Sequence, residues 1–133
     1  MKLNMNQERT ILSPAQDMLV KTITPAFYQE LDDFDGFRGH TLISEFAFSE
    51  KWSTWEIHPK GDELVYLVSG ETDFVLHNPD GEDQVVRVSA PGDYVIVPKD
   101  TWHTAVPVTD TRCLFVTPGE GTQNALAPGG EPL

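Results

Sequence analysis

The chain has 133 residues, 39% of them hydrophobic and 23% charged, a composition typical of one globular domain. Nine basic and 21 acidic residues give a formal net charge of −12, which repels phosphate backbones, so we expect no nucleic-acid partner. The single cysteine excludes an internal disulfide and fits a reducing compartment. No apolar run is long enough for a signal peptide or a transmembrane helix, so we expect a cytoplasmic protein with no membrane partner.

Residues 1–41 are predicted to form an N-terminal extension. Within it, Met18–Thr24 favours an edge strand, and Pro25–Phe37 favours a short helix or a loop. His40 precedes the first clear strand and His77 ends a later one at a turn, so both are expected at the surface.

From residue 42 to residue 118, short runs rich in β-branched and aromatic residues alternate with turns. Gly92 follows Pro91 at a turn position that requires a positive φ. No stretch of ten or more residues has a helical period, so the pattern predicts an antiparallel sandwich or barrel over 42–118. Residues 119–133, rich in Gly and Pro, are expected to be an extended or mobile tail. The predicted strands are 42–49, 52–58, 63–69, 72–77, 84–89, 93–98, 104–108 and 112–117.

Polar residues interrupt these strands where apolar side chains would otherwise pack. Because side chains alternate between the two faces of a strand, Trp52, Glu56 and His58 share one face of the run 52–58. Glu63 begins the next strand and lies on the same face as Val65 and Leu67. His103 follows a later turn. Two histidines and a carboxylate on neighbouring strands can hold a divalent metal and leave coordination positions open.

These residues carry a resemblance to a known family. Glu56-x-His58-x4-Glu63-x6-Gly70 is similar to the first motif of the cupins, G-x5-H-x-H-x3,4-E-x6-G. Gly92-x5-Pro98-x-Asp100-x2-His103 is similar to the second, G-x5-P-x-G-x2-H-x3-N. The resemblance covers about residues 42–117. It implies an all-β double-stranded β-helix (jelly-roll) barrel, usually dimeric, with a metal or ligand site inside.

The chain departs from the family pattern in both motifs. Glu56 stands where the first motif has its leading histidine, and Lys51 stands near the place of that motif's first glycine. Asp100 replaces the glycine of the second motif, and Pro107 replaces the terminal asparagine. Asp100 can still enter the left-handed region at modest cost. Carried over residue by residue, the resemblance implies a divalent metal ion (Fe, Mn, Ni or Zn) with three retained ligands, His58, Glu63 and His103.

Glu56 occupies a ligand position with a different ligand type, and two roles are open to it: fourth metal ligand or catalytic acid–base group. Glu56 and Glu63 facing one interior would repel, and burial would raise the pKa of at least one of them. A divalent cation removes both costs. Without a metal, one carboxylate should be protonated or paired, with Lys51 or Arg112 as candidate partners.

Three functions fit this pattern. The first is a metal-dependent enzyme acting on a small molecule, with oxygenase-like chemistry favoured over an isomerase or lyase. The second is a module that binds or senses a small molecule without turnover, and the third is a barrel that serves only in assembly. Trp52, on the His58 face, is a candidate residue for the wall of the substrate pocket.

Strands as apolar as 42–49 also predict a homodimer, formed by sheet packing or by exchange of the N-terminal segment.

Overall fold

The computed structural model of the protein describes residues 1–133 and consists mainly of β-strands. One short helix, α1 (Phe27–Glu30), is followed by two 3-10 turns, Leu31–Asp33 and Asp35–Phe37. None of these helical segments has the length and apolar character needed to cross a bilayer. The strands are β1 (Glu8–Leu12), β2 (Met18–Thr22), β3 (Thr41–Phe48), β4 (Trp55–Ile57), β5 (Glu63–Ser69), β6 (Thr72–Leu76), β7 (Gln84–Val88), β8 (Tyr94–Val97), β9 (His103–Pro107), β10 (Thr111–Pro118) and β11 (Gln123–Ala125).

The strands form two antiparallel sheets. One sheet has six strands in the order β2-β1-β3-β10-β5-β8, and the other has five in the order β11-β4-β9-β6-β7. Strands that are distant in sequence are therefore neighbours, as in a jelly-roll barrel. The predicted all-β fold is confirmed.

The apolar faces of the two sheets enclose the main core. β5 shows the alternation that creates it: Glu63, Val65 and Leu67 are buried, whereas Tyr66 between them is 39% exposed. Full burial of one such apolar side chain contributes about 1.5–3 kcal/mol to folding. Glu63 is placed inside the barrel by the same alternation. The core residues are Val65, Leu67, Phe74, Leu76, Val88, Val95, Ala105, Cys113 and Phe115.

Two turns in the second half of the chain have the backbone that the sequence predicts. Gly92 has a φ of 100° and Asp100 a φ of 62°, so the aspartate does adopt the left-handed conformation of the glycine that it replaces. The amide N–H of Asp100 donates to the carbonyl oxygen of His58 at 3.0 Å. This bond fixes the turn that leads into β9 against the end of β4, which brings His103 towards His58.

The N-terminal extension is folded onto the barrel. β2 is an edge strand, as predicted, but β1 was not anticipated; it pairs with both β2 and β3. The extension has its own small core, which shares Leu42 with the barrel. The expectation that His40 lies at the surface is wrong: its side chain is 9% exposed because it packs against Phe34 and Phe37. The members of the small core are Ile11, Phe27, Phe37 and Leu42.

Two strand boundaries also differ from the sequence prediction. The run 52–58 contains only the three-residue strand β4, because the chain bends at residues 53–54. Just before this bend, Trp52 N–H donates to the carbonyl of Ala105 at 3.1 Å. The segment 119–133, expected to be extended or mobile, contains β11, which pairs with β4. Ala125 at the end of β11 is fully buried, and this burial ties the segment to the barrel.

Candidate metal centre

The structure brings the four predicted ligand side chains together inside the barrel. Glu56 on β4 is the direct cross-strand partner of His103 on β9, and paired residues of this kind have Cβ atoms about 4.5–5.5 Å apart. His58 follows β4 on the same face as Glu56, and Glu63 enters from β5 in the opposite sheet. Ligand atoms of Glu56, His58 and His103 all lie within 4.8 Å of one another.

The Glu63 carboxylate lies between the two histidines. Its Oε2 is 3.3 Å from Nε2 of His58 and its Oε1 is 3.2 Å from Nε2 of His103. Oε1 of Glu56 also contacts Nε2 of His58, at 3.2 Å. The cluster therefore consists of two carboxylates and two imidazoles with their polar atoms facing one another.

These facing atoms are close but are not aligned for hydrogen bonds. His58 Nε2, His103 Nε2 and Glu63 Oε1 are buried and have no hydrogen-bond partner. Buried polar groups in native proteins are nearly always satisfied, so three such atoms at one place indicate a missing partner. Glu56, which lies beside these atoms, forms with His58 and His103 a cluster that could hold a metal ion.

The outward-facing atoms of the cluster, in contrast, are well anchored. Nδ1 of His103 lies 3.1 Å from the carbonyl oxygen of Thr101. A carbonyl only accepts, so Nδ1 carries a proton, and deprotonation of the ring would leave the lone pair of Nε2 directed at the cluster. Nδ1 of His58 lies 2.8 Å from Oγ1 of Thr122 on the C-terminal segment. The hydroxyl of Thr117 donates to Glu63 Oε2 at 2.6 Å.

The pKa values of the two carboxylates are shifted in opposite directions. Burial raises the pKa of Glu56, and the neighbouring charge of Glu63 raises it further. Burial acts in the same direction on Glu63, but its contacts with His103 and His58 outweigh burial and lower its pKa to about 2. Burial also opposes the charge on His103, yet the adjacent Glu63 raises the pKa of this histidine above 6.5.

The two cationic partners suggested by the sequence take no part. Arg112 pairs with Glu45 at 2.7 Å, and Lys51 makes no ion pair. In the metal-free cluster, Glu63 is balanced by the histidines, whereas Glu56 is the carboxylate shifted towards its protonated form. The expected rise in at least one carboxylate pKa is therefore present, at Glu56.

A cavity of about 690 Å³ opens beside the cluster, within the range of small-molecule sites. Glu56, His58 and Glu63 line it, and so does Trp52, the predicted pocket residue. Trp52 packs edge-on against Phe74 and, in a tilted arrangement, against Phe115, so its position is fixed by the barrel core. His103 is behind this wall, with 1% of its side chain exposed.

Several residues at the site were missed by the sequence interpretation. Thr122, Gly121 and Asn124 line the cavity from the C-terminal segment, and Tyr28 and Asp32 line it from the N-terminal extension. Thr122 lies 64 residues from the histidine that it contacts, in a segment with no strand periodicity. Thr117, by contrast, was accessible from the sequence, because it follows Phe115 on the same face of a predicted strand.

Comparison with known proteins gives several similar solved structures. A cupin superfamily protein from Desulfitobacterium hafniense is 26% identical, over 58% of this chain and 65% of that chain, with a TM-score of 0.48. A mutant oxalate decarboxylase from Bacillus subtilis is 17% identical, over 64% of this chain and 23% of that chain, with a TM-score of 0.52. Peruvianin-I, a cysteine peptidase from Thevetia peruviana latex, is 22% identical, over 62% of this chain and 54% of that chain, with a TM-score of 0.51.

The chain thus spans between 23% and 65% of these three proteins, and none of these likenesses shows more than the fold. No curated protein sequence matches the chain. The family model of the cupin domain matches residues 43–118, which is more than half of the chain and includes every residue of the Glu56/His58/Glu63/His103 cluster. The chain therefore belongs to the cupin domain family.

Proposed function

We propose that this protein is a metal-dependent cupin that holds a divalent metal ion with Glu56, His58, Glu63 and His103 and acts on a small molecule bound in the adjacent cavity. The observation that carries the proposal is the set of three buried polar atoms without hydrogen-bond partners, two imidazole nitrogens and one carboxylate oxygen, that face one another. Each is an atom type that binds divalent metals.

The spacing of the cluster supports this proposal. Ligand atoms about 2.1 Å from a metal, at angles between octahedral and tetrahedral, lie about 3.0–3.4 Å apart. The three close contacts in the cluster, Glu56 to His58, His58 to Glu63 and Glu63 to His103, measure 3.2, 3.3 and 3.2 Å. The side chains are therefore spaced like neighbouring ligands around one ion.

Charge supports the proposal as well. Two carboxylates and two neutral imidazoles carry a charge of −2, which a divalent cation balances. Nitrogen and oxygen ligands of this kind suit Fe, Mn, Ni and Zn. Bacillus subtilis oxalate decarboxylase, which shares the fold, has Mn(II) centres. Within this four-residue set, His58, His103 and Glu63 match the two-histidine, one-carboxylate ligation of Fe(II) oxygenases, which favours oxygenase-like chemistry.

Glu56 has a distinct role within the cluster. Its side chain is 29% exposed, compared with 3% for His58, so an incoming substrate meets Glu56 first. We assign it as a metal ligand, since its Oε1 lies as close to His58 Nε2 as a neighbouring ligand would. Burial raises its pKa, which also equips it to hold a proton beside a substrate. The metal would supply a Lewis-acidic or redox-active centre next to this carboxylate.

The test is metal analysis of the purified protein, followed by titration of Mn²⁺, Fe²⁺ and Zn²⁺ into metal-free wild type and Glu56→Gln. Because a neutral amide replaces an anionic ligand, Glu56→Gln should weaken binding by about tenfold or more. Glu50→Gln is the matched control, since Glu50 is exposed and away from the cluster.

Equal metal affinity in wild type and Glu56→Gln would mean that Glu56 acts as an acid–base group and not as a ligand. A wild-type protein that binds no divalent metal would overturn the proposed function. In that case, Glu56→Gln should raise the melting temperature of the protein, because it removes repulsion between Glu56 and Glu63.

A further inference from the structure

The cavity next to the metal cluster has a one-sided charge distribution. Three of its 20 lining residues are acidic, Asp32, Glu56 and Glu63, and none is a lysine or an arginine. The whole chain, including these residues, has a net charge of −12 at pH 7. A cleft lined by one sign of charge concentrates small ions of the opposite sign.

Asp32 differs from the other two carboxylates. Glu56 and Glu63 belong to the metal cluster, where a divalent cation would balance them, whereas Asp32 lies in the 3-10 turn Leu31–Asp33 on the N-terminal extension. It makes no ion pair and is exposed, and its Oδ1 faces Gly36, where a Cβ atom would lie 3.9 Å away. Asp32 is therefore an uncompensated negative charge in the wall of the cavity.

One basic residue contacts a residue of the cavity wall. Arg9 reaches the hydroxyl of Tyr28 at 3.4 Å, but Arg9 itself does not line the cavity. Its guanidinium lies over the ring of Phe27, 4.7 Å from the centroid, in the small core of the extension. A carboxylate entering the cavity would therefore meet no cationic side chain.

Five of the other lining residues are aromatic, Tyr28, Phe37, Phe46, Trp52 and Phe115, and they lie among serines, threonines and glycines. Trp52 and Phe115 lie close to the cluster, and Phe46 and Tyr28 are 45% and 58% exposed. Aromatic faces bind apolar groups, and they also attract cations through the ring quadrupole. Aromatic walls beside an unpaired carboxylate form a site suited to an ammonium group that is attached to an apolar body.

On the basis of the proposed function, we infer that the molecule bound in the cavity is a small amine with an apolar or aromatic body. Its ammonium group lies against Asp32, its body against the aromatic walls, and its remaining end towards the metal cluster. Asp32 is then the residue that determines specificity, and small carboxylates are disfavoured. This assignment separates the protein from enzymes whose substrates are dicarboxylates.

The test uses three probes of equal shape and different charge: benzylamine, benzyl alcohol and benzoate. Their binding to the full chain is measured by calorimetry at millimolar concentration, with the protein metal-free and then loaded with Mn²⁺. We expect benzylamine to bind more tightly than benzoate by about tenfold in the metal-free form, with benzyl alcohol between them. In the Mn²⁺-loaded form a carboxylate can also ligate the metal, so the preference should be smaller there. Tighter binding of benzoate in the metal-free form, or no binding of benzylamine, would overturn the inference.

Asp32→Asn identifies the residue responsible. It should weaken benzylamine binding by about three- to tenfold and leave benzyl alcohol unchanged, because only the ammonium group responds to the lost charge. The matched control is Asp33→Asn, a neighbouring exposed carboxylate that does not line the cavity, and it should change neither. If both variants have the same effect, the preference comes from the net charge of the protein and the assignment to Asp32 is wrong.

Metal titration of the same samples distinguishes the failure of the proposed function from the failure of this inference. If the metal binds but benzylamine is not preferred, the proposed function stands and this inference fails. If no metal binds, the proposed function fails, and the metal-free measurements still decide whether Asp32 selects an amine.

Discussion

The hydroxyl of Thr122 should control how tightly His58 holds a metal ion. Thr122 Oγ1 lies 2.8 Å from Nδ1 of His58, whose side chain is only 3% exposed, so solvent has little access to replace this partner in Thr122→Val. Loss of one partner of a buried hydrogen bond costs about 1–3 kcal/mol. Contacts that orient a ligating histidine change metal affinity by about 10–100-fold, equivalent to about 1.4–2.7 kcal/mol. We therefore expect Thr122→Val to weaken metal binding by about tenfold or more.

The measurement is calorimetric titration of Mn²⁺ or Zn²⁺ into the metal-free protein, with thermal melts of the same samples. Thr122→Ser keeps the hydroxyl and should restore most of the affinity. Thr111→Val is the control, because Thr111 is buried and its hydroxyl donates to the carbonyl of Glu71 at 3.1 Å, outside the cavity. It should lower the melting temperature without changing metal affinity. If Thr122→Val binds metal as tightly as wild type, Thr122 does not position His58.

Three further outcomes are expected. The pKa of His103 is raised above 6.5 and that of Glu56 is also raised, so the stability they give the metal-free protein is present at low pH and lost as pH rises through the raised values. Metal binding needs both groups deprotonated, so thermal melts at increasing pH should fall for the metal-free protein and rise for the metal-loaded one. We also expect a homodimer through Tyr94 and Ile96, which are 59% and 45% exposed on edge strand β8; light scattering that shows only a 14.8 kDa species would contradict it. Burial raises the pKa of the Cys113 thiol to about 12, so thiol reagents should label it in the unfolded protein and not in the native one.

Much of the fold follows from local patterns in the sequence. The strand period places Glu63, Val65 and Leu67 on one face of β5, and this alternation is what the structure has. For the run 52–58 the rule predicted the correct side, since Trp52, Glu56 and His58 all line the cavity. It did not predict the extent of the strand, because the chain bends before β4 and a strand period alone does not reveal a bend. β1 was missed because only pairing with β2 and β3 identifies it as a strand.

The cluster itself was predictable because its spacing reflects short-range geometry. Glu56 and His58 are two residues apart on one face, and the turn ending at Asp100 delivers His103 beside them. The groups around the cluster were not predictable in this way. Thr122 and Asp32 reach the cavity from segments without strand periodicity, and their positions depend on how those segments pack against the finished barrel.

Strand β11 also sets the order in which the site can be completed. Synthesis runs from the N-terminus, so β4 to β10 emerge from the ribosome before Thr122 and β11 do. Until then, β4 is an unprotected sheet edge, a position prone to pairing with other chains. A nascent or truncated chain that stops at Pro118 would contain the whole matched domain and all four cluster residues, but it would lack the hydroxyl that contacts His58. We expect such a chain to aggregate and to bind metal weakly. The folded unit that binds metal therefore extends beyond the C-terminal boundary of the family domain.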